Sequence, residues 1–406
     1  MKSGGSDFAF RLCERLAEAG ANVHVVTSRI ADVVKHSKIT VDPIMSRWSW
    51  FELLRLMTTV RRFRPDVVNL HFNPIIYNNN PMVTFAPGVI KRVLPHTRVI
   101  THIESPGGIQ IERTSQMTRF WRRLISHFVG TAGIDYSYGT ILRDSDCIIV
   151  LSGDHVNSLS ERSADVRNKA VLIPPPPIMR ISSDENARVR GRELLGVGPD
   201  EFVIVHFGYI NPEKGIETLF EALRLLSERH DKLRLVIVGG RNDVVLRVFN
   251  RPNYIEELHD LAEQLRITDK VIWTGYYPTE SDQGSLYLRG SDLCVLPFNA
   301  GVYLNNSSFA AVAAHGLPII ATKGEFIESP FLNRRNLLLC APKEPESLAA
   351  AIESLLNDPQ LRRKLSDGAL EMAREWFSWD KALERTLRIF NGSCAEPQQV
   401  SALQEE

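Results

Sequence analysis

The sequence predicts an α/β protein of two parallel-sheet domains, on three observations: its length, helical and strand patterns that alternate through both halves, and a proline run between the halves. At 406 residues the chain exceeds one ordinary core and suits two domains, each able to bury an interior. Short apolar runs alternating with amphipathic helices are the pattern of strands covered on both faces by crossover helices. The run Ile173-Pro174-Pro175-Pro176-Pro177 suits neither helix nor central strand, and a polar segment at 182–187 follows it. The expected layout is a domain over 1–185, a second over 186–375, a C-terminal helix at 376–392 packing back towards the first domain, and a disordered tail at 393–406.

The chain opens on a helix from about Ser6 to Ala19, with Phe8, Leu12, Leu16 and Ala19 at helical spacing, then Gly20 and the strand Val23–Val26. A helix around Trp50 to Phe63 precedes the strand Val67–Leu70, and strands follow at Arg98–Ile100 and Cys147–Leu151. In the second half the alternation runs through strand Phe202–Phe207, helix Gly215–Ser227, strand Leu233–Val238, helix Tyr254–Leu265, and strands Val271–Trp273, Leu293–Leu296 and Pro318–Ala321. Helices Glu346–Leu356 and Pro359–Arg374 come next, and a last amphipathic helix runs from Trp379 to about Phe390. No solenoid-length repeat is present.

Basic and acidic residues balance at 48 each, so no global field draws nucleic acid or an anionic membrane, and any anion site must be local. Five cysteines (Cys13, Cys147, Cys294, Cys340, Cys394) are scattered without a CxxC pair. That pattern argues against a disulfide framework and a zinc site, and it suits a reducing, cytoplasmic setting. No apolar run reaches bilayer length, and MKSGGSDFAF lacks a signal-peptide layout.

Two stretches carry chemistry. Phe207-Gly208-Tyr209-Ile210-Asn211-Pro212-Glu213-Lys214-Gly215 leaves a buried strand, turns through Asn-Pro and enters a helix beside Lys214. Free backbone N–H groups, the positive end of a helix dipole and an ammonium converge there, which suits an anion, although an ordinary loop with a solvated lysine has the same pattern. The second stretch, 305–322, places Asn306, Ser307 and Ser308 before an alanine-rich helix that Gly316-Leu317-Pro318 ends. Those polar groups either donate to phosphate oxygens or only cap the helix.

With these motifs in hand, the chain resembles the GT-B glycosyltransferases of family 4. Residues 208–215 resemble the family's GRLxPEKG segment; Val236–Gly240, Val271–Tyr276, Ser291–Pro297, Gly316–Thr322 and Phe377-Ser378-Trp379 follow in the family's order. More weakly, Gly4-Gly5 before a helix, Val99–His102, Val150–Ser152 and Ile173–Pro176 match its N-terminal half. The resemblance implies a retaining, metal-independent transferase that needs no cofactor and holds a nucleotide-diphosphate sugar in the cleft between two Rossmann-like domains. It assigns Lys214 to the donor diphosphate, Gly4 and Gly5 to the N-terminal backbone's approach to that diphosphate, and His102 to the transferred sugar. Tyr276 falls near the nucleotide base, on which it either stacks or packs alongside.

Three departures qualify the match. Tyr209 stands where the family has an arginine. The paired glutamates before GxP are absent, with Tyr303 and Ala311 in their places and no Asp or Glu between Asp292 and Glu325; nucleotide recognition is then expected to move to the cap at Asn306, Ser307 and Ser308. The family's opening central strand is also missing before Gly4, so the natural protein is expected to begin upstream. The expected partners are a nucleotide-sugar donor and a glycan, lipid-linked or small-molecule acceptor, with peripheral contact at the inner membrane face allowed through the acceptor. A donor-binding protein without turnover and an epimerase-like enzyme are the alternatives. Nucleic acid is not expected, for want of a basic stripe or an aromatic platform.

Overall fold

The structure, a computed structural model, describes residues 4–29, 37–109, 115–278 and 281–394; the expected tail from 395 on lies outside them. The chain divides into two compact units. One runs from the N-terminus through Pro174 and resumes at Asp380; the other is Pro175–Trp379. The division falls inside the proline run, so residues 175–185, expected in the first domain, go with the second. Their attachment is local: the Ser182 amide donates to Ser285 Oγ at 2.9 Å.

In the first unit the helix Gly4–Glu18 leads to β1 (Val23–Ser28) and β2 (Ile39–Met45). After a short 3-10 turn at Trp50–Glu52, the helix Leu53–Phe63 precedes β3 (Val67–Phe72), and the helix Met82–Val93 precedes β4 (Arg98–Ile103). Then come the helix Gln116–Val129, β5 (Cys147–Val150), the helix Gly153–Ser160 and β6 (Ala170–Leu172). Among the described residues these strands make two parallel sheets, β1-β2 and β3-β4-β5-β6. The helix Trp379–Phe390 completes the unit. Its Ala382 and Ile389 pack with Ile100, Cys147, Ile149, Val171 and Ile173, and Arg98 Nη2 donates to the Ile389 carbonyl at 3.2 Å.

The second unit is one six-stranded parallel sheet in the order β12-β11-β10-β7-β8-β9. Its strands are β7 (Phe202–Phe207), β8 (Leu233–Val238), β9 (Val271–Gly275), β10 (Leu293–Leu296), β11 (Ile319–Thr322) and β12 (Leu338–Cys340). β10 is buried at every residue and β7 at all but its first, as strands with helices on both faces must be. The helix Ile216–Ser227 supplies Ile216, Leu219, Phe220, Leu223 and Leu226 to one core face. Strand order reverses at β7: the chain proceeds to β8 on one side and returns through β10 on the other. Loops leaving two such strands part in opposite directions and open a crevice at their carboxyl ends, where doubly wound sheets take ligands.

Because Ile389 is buried in the first unit's core, Ile389→Ala is expected to destabilise that unit by about 2–5 kcal/mol. Urea denaturation measures the loss, and a change within error of zero would show that the C-terminal helix adds little to the unit's core.

Candidate functional site

The carboxyl end of β7 is held in place by backbone. The Gly208 amide donates to Val238 O at 2.9 Å, and Ile210 N to Gly240 O at 3.2 Å, extending the β7–β8 pairing beyond the sheet. Gly208 has φ +140°, and a Cβ there would lie 2.6 Å from Ser308 Oγ. The hydroxyl of Ser308 therefore rests against the Gly208 α-carbon, joining the two motifs that the sequence singled out. Asn211 caps the next turn, Pro212–Lys214, by accepting from Glu213 N at 3.0 Å. Asn299, from the loop after β10, grips the same turn: its Nδ2 donates to Pro212 O at 2.8 Å and its amide to Glu213 O at 3.0 Å.

This clamp leaves Lys214 half-buried, with Nζ 4.0 Å from the centroid of the Phe298 ring. A cation over an aromatic face is stabilised without a counter-ion. Burial nevertheless pulls the ammonium from its usual value down to about 8, and the Glu213 charge offsets only part of that. His206, buried at the end of β7, lies close by. Its Nδ1 is 3.1 Å from Val295 O, and burial, followed by the Lys214 charge, brings it down to about 3. At neutral pH the imidazole is uncharged, and Lys214 carries the local positive charge.

On the other side of Gly208 the helix Ser307–Ala314 begins. Asn306 is its N-cap, accepting from Phe309 N at 3.1 Å, so its amide oxygen is already engaged. Ser307 is exposed and Ser308 buried. Where glutamates were looked for, Ala311 is buried in the helix and the Tyr303 hydroxyl accepts from Glu325 N at 3.2 Å. A carboxylate does reach this loop from outside the acid-free stretch: Glu328, fully buried, accepts from Leu304 N at 2.5 Å. Tyr276, at the end of β9, is 58% exposed and its Cβ would be 3.1 Å from a Cβ on Gly240. Tyr277 packs at 6.2 Å from Phe207, and burial, with Tyr209 and Tyr276 nearby, raises its hydroxyl above the usual tyrosine range. Gly208, Tyr209, Lys214, Tyr276, Asn306, Ser307 and Ser308 thus line the carboxyl ends of β7, β8 and β9 and the adjacent helix start.

The first unit holds the remaining sequence-derived residues. His102 lies on β4 in register with His71 of β3; the two rings stack at 4.8 Å, and Phe8 from the opening helix meets His102 edge-on at 5.1 Å. The ring is 1% exposed, and neither nitrogen has a hydrogen-bond partner. Most buried imidazoles are hydrogen-bonded, and this one is not. Burial first, then the neighbouring His71 and His155, hold His102 well below the ordinary histidine value; burial also takes His71 and His155 to about 4. Beside them Glu104 accepts from Asn73 Nδ2 at 3.2 Å through one oxygen while the other has no partner, and burial raises its carboxyl. Neutral imidazoles and an incompletely bonded carboxyl suit hydroxyl-bearing ligands rather than anions. Gly4 and Gly5 fall in the first turn of the helix Gly4–Glu18, not in a loop before it, because the helix starts two residues earlier than the apolar spacing indicated.

Sequence reasoning missed His206, Phe298, Asn299, Glu328, His71, His155 and Glu104. His206 had a signal, as the one polar residue within β7; the others act through contacts that no local pattern encodes. Among the described residues no group of three His, Cys, Asp or Glu side chains is arranged to hold a metal ion, and no helix is long and apolar enough to cross a membrane.

Comparison with known proteins bears on the family and the fold. Residues 192–372 match the family described as Glycosyl transferases group 1, and residues 1–100 match Glycosyl transferase 4-like. A D-inositol 3-phosphate glycosyltransferase of Xylanimonas cellulosilytica is 27% identical over 262 residues, 62% of this chain and 58% of that protein. The chain spans about half the length of the curated relatives it matches, as with the 47% covered in the Jonesia denitrificans protein of the same name. Among solved structures, sucrose-phosphate synthase from Thermosynechococcus elongatus superposes with a TM-score of 0.67 at 20% identity, over 96% of this chain and 93% of that one. Anabaena HepE in complex with UDP gives 0.70 at 15% identity, over 96% and 97%, and has also been solved with UDP-glucose. Identities this low show the fold alone, which is GT-B. From the two family matches together with that fold, the chain belongs to the group 1 glycosyltransferases.

Proposed function

We propose that the chain is a retaining glycosyltransferase that moves a sugar from a nucleotide-diphosphate sugar to a glycan, lipid-linked or small-molecule acceptor. The observation that carries the reading is that the Ser308 hydroxyl lies against the side-chain-free backbone at Gly208 while the Lys214 ammonium lies over Phe298, both in loops that leave the strand-order reversal of a parallel sheet. When the sugar departs, negative charge builds on the diphosphate. A fixed cation with few competing partners stabilises that charge more in the transition state than in the ground state. Lys214 supplies it, Ser307 and Ser308 donate from the helix start, and Tyr276, with its ring in solvent, faces the base. Because Lys214 provides the compensating charge, the reading calls for no metal and no cofactor. The neutral His102 and its neighbours suit the hydroxyls of a sugar, and Gly4 and Gly5 open a helix whose free amides suit an anion. HepE, solved with UDP and UDP-glucose, supports a uridine-diphosphate sugar as the first donor to test.

Lys214→Ala is expected to slow sugar transfer, or donor hydrolysis when no acceptor is known, by about a hundredfold, for a loss of roughly 3 kcal/mol of charge stabilisation. Its unfolding temperature should stay close to the parent's. Near-normal turnover in this variant would remove the central assignment.

The lowered Lys214 value adds a pH dependence. A lysine with a pKa of about 8 is charged below that pH and neutral above it, so diphosphate affinity is full on the acid side and lost as pH rises. Above pH 8 the UDP dissociation constant of the parent should climb about tenfold per unit. Lys214→Ala should bind more weakly at pH 7.5 and stay flat, so that the two curves approach each other by pH 9.5. Calorimetric titration over that range decides: parallel curves would mean that Lys214 does not meet the diphosphate.

A further inference from the structure

The helix Gln116–Val129 is amphipathic, but it presents the opposite side from a core-packing helix. Met117, Phe120, Leu124 and Phe128 recur at helical spacing and form one stripe, which points to solvent: they are 56%, 60%, 48% and 53% exposed. On the far side, Arg122 is buried, its guanidinium 5.7 Å from the Tyr136 ring and its Nε and Nη2 without partners. Both ends of the helix are tied down. Ser115 caps it by accepting from Thr118 N at 3.2 Å, and Arg143 donates to the carbonyls of Val129, Gly130 and Ala132 at 3.0, 3.0 and 2.6 Å. The helix also lies against Met82–Val93. Its orientation is therefore set by the fold.

The stripe continues onto a neighbouring element. Phe51 and Leu54 are 69% and 76% exposed, and Phe51 meets Trp121 edge-on at 5.5 Å. Among the described residues the exposed charge on this face is positive. The helix contains no Asp or Glu, while Arg119, Arg123 and Arg55 are exposed. Glu52, on the neighbouring element, is buried; it accepts the amides of Ser46, Arg47 and Ser49 and pairs with Arg55 at 3.5 Å, which leaves Arg119 and Arg123 to give the face its positive charge. Monomeric proteins rarely leave a contiguous apolar face in water. A second copy is a poor cover, since a two-fold contact sets a patch against itself and would bring arginines together. Exposed aromatic and aliphatic residues flanked by arginine on a surface-parallel helix are what an anionic bilayer interface accepts.

We propose that this face, centred on Phe120 and Leu124, is the surface by which the chain lies on a membrane with anionic headgroups. It goes beyond the donor site and is read without it, since vesicle binding needs no nucleotide. The test is flotation of the purified full chain with phosphatidylcholine vesicles with and without phosphatidylglycerol. The chain should float with the phosphatidylglycerol vesicles, and less so in high salt. Phe120→Ser with Leu124→Ser should abolish flotation. Arg119→Gln with Arg123→Gln, which touches only exposed residues, should weaken it about fivefold per arginine. UDP binding in both variants should match the parent, which separates failure of this proposal from failure of the nucleotide site. No flotation of the parent, or variants that float as well as the parent, would overturn the proposal. So would a parent dimer in sedimentation velocity that the Phe120→Ser, Leu124→Ser variant dissolves, because the face would then be self-complementary.

Discussion

The contact between Ser308 and the bare α-carbon of Gly208 fixes the arrangement on which the second unit's chemistry depends. Any side chain at Gly208 would have to displace the start of the helix Ser307–Ala314 or bend the exit of β7. With none there, the loops after β7 and β10 close to van der Waals distance, and Asn299 can reach across to the Pro212–Lys214 turn. The sheet's order reversal makes the crevice. This approach sets a hydroxyl and a helix start against the exit of β7, while the Asn299 grip holds the turn that carries Lys214.

The electrostatics of both units follow from the same low-dielectric logic. In the second unit burial leaves His206 neutral and lowers Lys214 to about 8, so Lys214 carries an adjustable positive charge whose pKa a bound diphosphate would restore. In the first unit His71, His102 and His155 are all depressed by burial. Protonating one of them would bury a charge, and protonating both His71 and His102 would set like charges in stacked rings 4.8 Å apart, so the cluster stays neutral and offers hydrogen bonds in place of charge. The two units thus present different chemistry: one suits phosphate, the other hydroxyls.

Much of this was legible in the sequence, for identifiable reasons. β7 and β8 match their apolar runs residue for residue because a buried parallel strand needs no help from its surroundings to declare itself. Lys214, Ser307 and Ser308 stand out in the sequence because helix starts have a local signature, and the structure sets Ser308 against Gly208. β2 was not, because Asp42 and Pro43 interrupt it and only its pairing with β1 holds it; three-residue β12 was too short to register. The roles of Phe298, Asn299 and Glu328 depend on which strands become neighbours, and that is decided by the order of the whole sheet. Periodicity announces that a helix has two faces and is silent about which one meets water, which is how the outward turn of Gln116–Val129 escapes a reading of spacing alone.

The route of the chain through the first unit links its two unusual features. β4 ends in His102 and Ile103, Glu104 follows with an unpartnered oxygen, and the same crossover then delivers the helix Gln116–Val129 with its apolar stripe outward. Arg143, which secures the carboxyl end of that helix, lies in the segment leading into β5, the neighbour of β4. Helix and histidine cluster are therefore anchored to adjacent strands of one sheet, and seating the helix on a bilayer would seat the carboxyl ends of β3 and β4 with it. Of the acceptor classes open to the proposed transferase, a lipid-linked one gains most from that coupling. Its headgroup is already confined to the plane of the membrane, and its search for the histidine cluster would become two-dimensional, with part of the entropy of association already lost once the protein had docked.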